Sequence, residues 1–237
     1  MFHIRMADLT ICIKNKYEYT KKLCRNYIVE TEETKNSECD MTIEVSDEDI
    51  KKEQQEGEQI YPLEYCESIC IYRAISRKLV NFNGFLMHAA CIEMDGEVYV
   101  FCAKSGTGKT THLKLWKQVY GDKARIINGD KPIVRMKNDG FTVYGTPWCG
   151  KEGYNINTSA PLKAVCFIER GVDNEIEQIK PEQVMTRLVH QILMPVNPAE
   201  MVSYLDMIDK LIKSTPVYVL KCNMNEEAAH VSYNGMK

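Results

Sequence analysis

Apolar and polar positions along the chain repeat with two different periods, and the switches between them mark out the elements. Leu9–Ile13 and Met41–Val45 alternate every second residue, as strands with one buried face do. Ser46-Asp47-Glu48-Asp49 is a capping-box start for a short helix to about Gln55. In Leu63–Val80, Cys66, Cys70, Ala74, Ile75 and Leu79 recur at helical spacing, and Gly84 can end that helix as its C′ residue. Two strand-like runs, His88–Met94 and Glu97–Cys102, flank Asp95-Gly96, the strongest local hairpin signal. Thr111–Val119 suits a helix, Ala124–Ile127 is a short apolar strand, and Pro132–Met136 with Phe141–Tyr144 reads as a second hairpin around Asn138-Asp139-Gly140. Leu162–Ile168 predicts a buried strand. Two helices follow, over about Pro181–Leu193 and Ala199–Ile212, then a strand at Val217–Leu220 and a weak terminal helix. Mixed strand pairing flanked by helices predicts an α/β sheet fold.

Between the strand ending at Cys102 and the helix from Thr111 lies Ala103-Lys-Ser-Gly-Thr-Gly-Lys-Thr-Thr111, an [AG]-x4-G-K-[ST] loop. Gly106 and Gly108 let the backbone turn successive N–H groups into one concavity that binds anions. Ser105, Gly106, Thr107, Gly108, Lys109, Thr110 and Thr111 are therefore the candidate contacts for a nucleoside triphosphate, ATP or another. Lys109 would sit on the β- and γ-phosphates and the Thr110 hydroxyl on Mg²⁺. The Asp-Gly hairpin pairs the loop-bearing strand antiparallel with the strand before it, unlike the usual βαβ setting of such loops.

A triphosphate site also needs a carboxylate for the Mg²⁺ shell. Asp130, at the end of the Ala124–Ile127 strand, is the candidate metal ligand beside Thr110; Asn128-Gly129-Asp130 also reads as a turn before Pro132, and the two roles are compatible. His88 begins the strand paired with the loop-bearing strand, so it either orients the nucleophile and shares its proton or is structural. Lys151 and Arg170 either neutralise γ-phosphate charge or are surface charges. Trp148 and Pro147 line a pocket or simply pack, and His112 and Trp116 read as packing residues.

The chain has 237 residues and a net charge of −3, so no basic surface argues for nucleic acid or anionic lipid. It has no long apolar run and an N-terminus unlike a signal peptide, which predicts a cytoplasmic protein without a membrane segment. Ten cysteines are scattered with no CxxC, and read as reduced, buried small apolar residues rather than a metal site. The acidic, turn-rich stretch Glu30–Gln59 is either solvated surface or a face that docks a basic partner.

Taken in order, the His88 strand, the Asp-Gly hairpin, Ser105-Gly-Thr-Gly-Lys-Thr110 and Asp130 resemble the catalytic domain of HPr kinase/phosphorylase, within the wider PEP carboxykinase-like group. The strings Ser105–Trp116, Asn128-Gly-Asp-Lys-Pro132 and Gly145-Thr-Pro-Trp-Cys-Gly-Lys151 are similar to a bacterial subgroup of HPr kinase-like proteins. The resemblance covers roughly residues 60–222. It implies a PEP carboxykinase-like mixed sheet with a P-loop and flanking helices over 61–237; before it, the alternating strands and capping box make residues 1–60 a small N-terminal α+β portion. It also implies ATP-dependent phosphorylation of a hydroxyl, typically a serine, on a small molecule, peptide or protein; a homo-oligomer is compatible with it. Lys109 matches the family's phosphate-loop lysine, Thr110 the Mg²⁺ hydroxyl and His88 the family histidine. The family strand usually ends in Asp-Asp, the first of which is implicated in handling the serine proton. Here Gly129 stands in its place and Asp130 matches the second.

The resemblance thus leaves three outcomes for the general base: Asp130 does both jobs, His88 takes over, or transfer is lost. Three functions follow: a Mg²⁺/ATP-dependent kinase with Lys109, Asp130 and His88 as its catalytic residues, a nucleotide-sensing module with degenerate chemistry, and a partner-stimulated ATPase. PEP carboxykinase activity is not expected, because its metal-binding lysine, histidine and aspartate set has no place in this chain.

Overall fold

Alternating strands must pair to satisfy their backbone groups. In the computed structural model, which describes residues 1–29, 39–57, 59–138 and 140–237, they do so in two separate sheets. The sheets belong to two compact units, Met1–Leu79 and Val80–Lys237.

The first unit holds β1 (Phe2–Met6), β2 (Leu9–Lys14) and β3 (Met41–Glu44), in that order. β1 and β2 are antiparallel, and β3 runs parallel to β2. Register puts Ile4 beside Ile11 and Ile13 beside Ile43, so one face is a continuous buried apolar layer. The unit's helices are α1 (Glu18–Leu23), α2 (Asp47–Glu56) and α3 (Leu63–Lys78). Ser46 and Asp49 form the predicted capping box of α2. β1 and α1 are additional to the elements expected. Of the acidic stretch Glu30–Gln59, residues 30–38 and 58 lie outside the described residues.

The expected boundary at 60/61 gives way to one after α3, and the reason is packing. α3 lies against α2, α1 and β3, and its fully buried Glu67 accepts the backbone N–H groups of Lys16 and Tyr17 and the Thr20 hydroxyl. Glu67→Ala leaves three donors, one of them the buried Thr20 hydroxyl, without their acceptor, so it is expected to cost about 2–3 kcal/mol, whereas Glu67→Gln, which keeps one oxygen, costs less. A urea melt of the two variants measures the difference.

The second unit is built on the strand path β4 (Gly84–Leu86), β8 (Ile133–Lys137), β9 (Gly140–Tyr144), β10 (Ser159–Arg170), β6 (Glu97–Cys102), β5 (Ala89–Met94) and β7 (Arg125–Asn128). β12 (Val217–Cys222) pairs with β10, and β11 (Glu175–Gln178) with β12. The expected α/β class with a mixed sheet is therefore observed. β10 makes the mixture possible: its first residues pair antiparallel with β9 and its last parallel with β12, across a register shift at Leu162/Ala164. β5 and β6 form the predicted hairpin, with Asp95 and Gly96 both at positive φ, and β6 is also parallel to β10 on its other side.

Alternate residues of β6 serve two cores. Val98, Val100 and Cys102 face α5 (Pro181–Leu188) and α6 (Pro198–Ser214) through Val184, Leu188, Tyr204 and Leu211. Tyr99, Phe101 and Ala103 face α4 (Lys109–Tyr120) and α7 (Glu227–Met236) through Leu113, Trp116, Ala228 and Met236. The sheet is thus covered by helices on both sides.

Three local expectations are corrected. Asn83, at φ 54°, takes the left-handed position and Gly84 opens β4 instead of capping α3. The helix from Pro181 stops at Leu188, because Ile192 bridges to Met87 and Gln191 offers its carbonyl to His88 N–H at 2.6 Å. The terminal helix α7 is a full 10 residues. Of the predicted turn at 138–140, residue 139 lies outside the described residues.

Candidate functional site

The glycine-rich loop leaves β6 and enters α4 as predicted. Gly106 and Gly108 have φ of 76° and 134°, conformations L side chains rarely adopt, so both positions require glycine. Gly108 caps α4 without a side-chain bond, leaving the first N–H groups of the helix open to an acceptor. Lys104, Ser105 and Thr111 are exposed, and Thr107 and Thr110 half-buried.

Lys109 turns inward. Its Nζ donates to Ala103 O at 2.8 Å and lies 3.3 Å from His88 Nε2. Burial pushes its pKa down, against the nearby charge of Asp130, which favours the ammonium.

His88 and Asp130 come together because their backbones do. Ala89 N–H donates to Asp130 O at 3.0 Å and Met87 N–H to Pro132 O at 3.0 Å, which sets the end of β7 beside the start of β5. His88 Nε2 then lies 3.1 Å from Asp130 Oδ1, and Lys131 Nζ 3.1 Å from Oδ2. His88 Nε2 thus faces both Lys109 and Asp130, and it can either donate to the carboxylate or accept from the ammonium. One nitrogen cannot do both, so the cluster has two proton arrangements.

Asp130 sits on the turn that the sequence also suggested. Asn128, fully buried, accepts the N–H groups of Asp130 and Lys131 at 2.8 and 2.7 Å, and donates to Thr146 O at 2.9 Å. The Thr146 hydroxyl donates to Lys131 O at 2.7 Å. Neither the Asn128–Thr146 link nor Lys131 was among the sequence candidates; the Asn-Gly-Asp turn signal pointed at the first, and nothing local pointed at the partner.

Burial opposes ionisation of Asp130, but the His88 hydrogen bond and the Lys131 charge outweigh it and hold the carboxyl at about 2 instead of 3.8. Because the folded value is the lower one, this stabilisation is complete above pH 4 and is lost as pH falls through about 2. It amounts to about 2 kcal/mol. Asp130→Asn is expected to flatten the acid limb of a stability–pH curve by that amount. His112 has the same sign by a different cause: burial takes its pKa to about 3 from 6.5, so its contribution fades as pH falls below 6.5.

The Gly145–Lys151 loop covers the end of β7. Gly129 N–H donates to Tyr154 O at 2.9 Å, and a Cβ at position 129 would lie 2.7 Å from Cys149 O. The position where the resemblance calls for an acid is thus closed by backbone. Cys149 is buried, accepts from Asn155 Nδ2 at 3.1 Å, and has its thiol pushed up chiefly by burial. Pro147 and Trp148 are buried, as packing residues are, and Lys151 is exposed.

Arg170, at the end of β10, grips the loop itself: its guanidinium donates to Gly106 O at 2.8 Å and faces Thr107 O at 3.5 Å. A cleft of about 500 Å³ opens beside the loop, with Thr107, Thr111, Leu115, Ile168, Arg170 and Met224 among its walls, but none of His88, Lys109 or Asp130. His112 and Trp116 pack in the core, as their positions in the sequence predict, and both share hydrogen bonds with Ser232.

The second unit is therefore a mixed α/β sheet protein whose glycine-rich strand-to-helix loop meets a histidine–aspartate pair. The chain belongs to the ScmC family: the family described as "SynChlorMet cassette protein ScmC" matches residues 49–228. No curated protein matches it. Among solved structures it is similar to the Hpr(Ser) kinase/phosphatase from Coxiella burnetii, at 10% identity and a TM-score of 0.34, covering 63% of this chain and 95% of that one. Among the described residues, no helix is long and apolar enough to cross a membrane.

Proposed function

We propose that the chain is a Mg²⁺-dependent kinase that transfers the γ-phosphoryl group of ATP to a hydroxyl. The observation that supports this reading is that His88 and Asp130 lie against Lys109, the lysine of the glycine-rich loop. The loop N–H groups and Lys109 hold the phosphates, and the apolar cleft beside the loop takes the nucleoside. An ionised Asp130 and the Thr110 hydroxyl are hard oxygen donors of the kind Mg²⁺ takes, and the ion would neutralise charge on the transferring group.

Transfer forms a bond between phosphorus and the acceptor oxygen, breaks the bond to the β-γ bridging oxygen, and releases ADP and a proton. A carboxylate held near 2 is a poor acceptor for that proton. His88 is the better one: with Nε2 donating to Asp130, Nδ1 is the basic nitrogen. Asp130 then orients the ring and faces the metal. His88→Ala is expected to lower transfer by about 10²- to 10⁴-fold with nucleotide affinity unchanged. A comparison of nucleotide affinity with labelling rate tests this, and an equal loss of both would place His88 in binding only.

The second reading, a nucleotide-binding module without transfer, draws on Gly129. It predicts tight ATP binding and no labelled acceptor in any extract.

A further inference from the structure

On a sheet with one buried face, the other face should carry polar side chains, and in the first unit it does. Arg5, Lys14, Thr42 and Glu44 are exposed there, opposite the layer of Ile4, Ile11, Ile13 and Ile43. Cys12 stands on that same polar face, paired across the strands with His3 and beside Thr42, yet it is only 6% exposed. Cys12 is therefore not part of that apolar layer. Cys39 joins it from the segment leading into β3, held in place because Asp40 N–H donates to Thr10 O at 3.0 Å and Asp40 Oδ2 accepts Thr10 N–H at 2.7 Å.

One donor atom from each of His3, Cys12 and Cys39 lies within 4.8 Å of the other two. Donors on a tetrahedral ion with bonds of about 2.0–2.3 Å are about 3.3–3.8 Å apart, so the three donors already lie near the spacing an ion would impose. Two thiolates and an imidazole are soft and borderline ligands, a combination that suits zinc and disfavours Mg²⁺ or Ca²⁺. We propose that His3, Cys12 and Cys39 bind a zinc ion that clips the start of β3 to the β1–β2 hairpin, with the fourth position left to water or another donor. This site is separate in residues and chemistry from the glycine-rich loop. A unit of this size gains stability from such a clip, since binding energy released only in the folded state is folding energy.

The test uses the full chain, reduced and stripped of metal, titrated with zinc against a chromophoric chelator and separately with cobalt. The expected result is one tight zinc per chain and a cobalt spectrum with thiolate charge-transfer bands. Cys12→Ser and Cys39→Ser should each weaken zinc by at least about 100-fold, while Cys70→Ser, outside the cluster, leaves it unchanged. His3→Gln keeps both thiols and gives a readout if a cysteine variant misfolds; it should weaken zinc and shift the cobalt spectrum. A Cys12→Ser/Cys39→Ser chain that binds zinc as tightly as the unaltered one would overturn the proposal. So would a cobalt complex without sulfur ligands, or a Cys12–Cys39 disulfide that persists under the reducing conditions.

Discussion

Lys109→Ala is expected to lower phosphoryl transfer by at least about 10²–10³-fold, the scale on which one preorganised cationic or hydrogen-bond donor acts on developing charge. On the proposed reading it should weaken nucleotide binding as well, because the loop loses the lysine that would contact the phosphates. The fold should survive. Burial pushes the Lys109 pKa down, so removing the ammonium also removes a desolvation cost. What remains unpaired is Ala103 O, worth about 1 kcal/mol. His88 is then free to commit Nε2 to Asp130. Circular dichroism with a thermal melt separates the two effects: an intact melt with lost labelling is the expected pair of results.

Gly129→Asp is expected to destabilise the protein and to leave transfer no higher. On sequence alone it is the variant that restores the acid of the resembling family. The structure changes that expectation, because a Cβ at 129 meets Cys149 O at 2.7 Å and Tyr154 Cβ at 3.6 Å, and both lie on a loop tied to β7 by backbone hydrogen bonds. That loop must move for any side chain to fit, at a cost of about 1–3 kcal/mol, or a fall in Tm of about 2–4 °C for each kcal/mol in a chain of this length. A shifted loop also disturbs Asn128, Thr146 and the turn that aims Asp130. Gly129→Ala isolates the steric part: it should lose nearly as much stability as the aspartate. If Gly129→Asp instead melts like the unaltered chain and labels an acceptor faster, the backbone closure of the site is not what excludes an acid there.

The glycine-rich loop was legible because all its information is local: consecutive residues, a strand before and a helix after. The Asp95-Gly96 hairpin was legible for the same reason, since the turn residues alone fix the pairing of β5 with β6. Ile192 shows where local pattern fails. It continues the apolar stripe of Val184 and Leu188, but pairing with Met87 displaces it from the helix, and that pairing in turn fixes the backbone of His88. Gly129 shows a subtler failure. A missing carboxylate reads as loss of chemistry, whereas the structure has a backbone carbonyl in the space the side chain would need. No short spacing links Cys12 and Cys39 to each other or to His3, so from sequence alone they read as buried apolar residues. Strand register sets His3 beside Cys12, and the Asp40–Thr10 hydrogen bonds bring Cys39 to them.

The most direct test of the kinase reading is transfer itself. Purified chain with γ-labelled ATP and Mg²⁺, added to an extract of its source cells, is predicted to put label into an acid-stable phosphoester, with Lys109→Ala giving at least about 10²-fold less. Tight binding of ATP with no labelled product in any fraction, under conditions where the chain is folded, would contradict it.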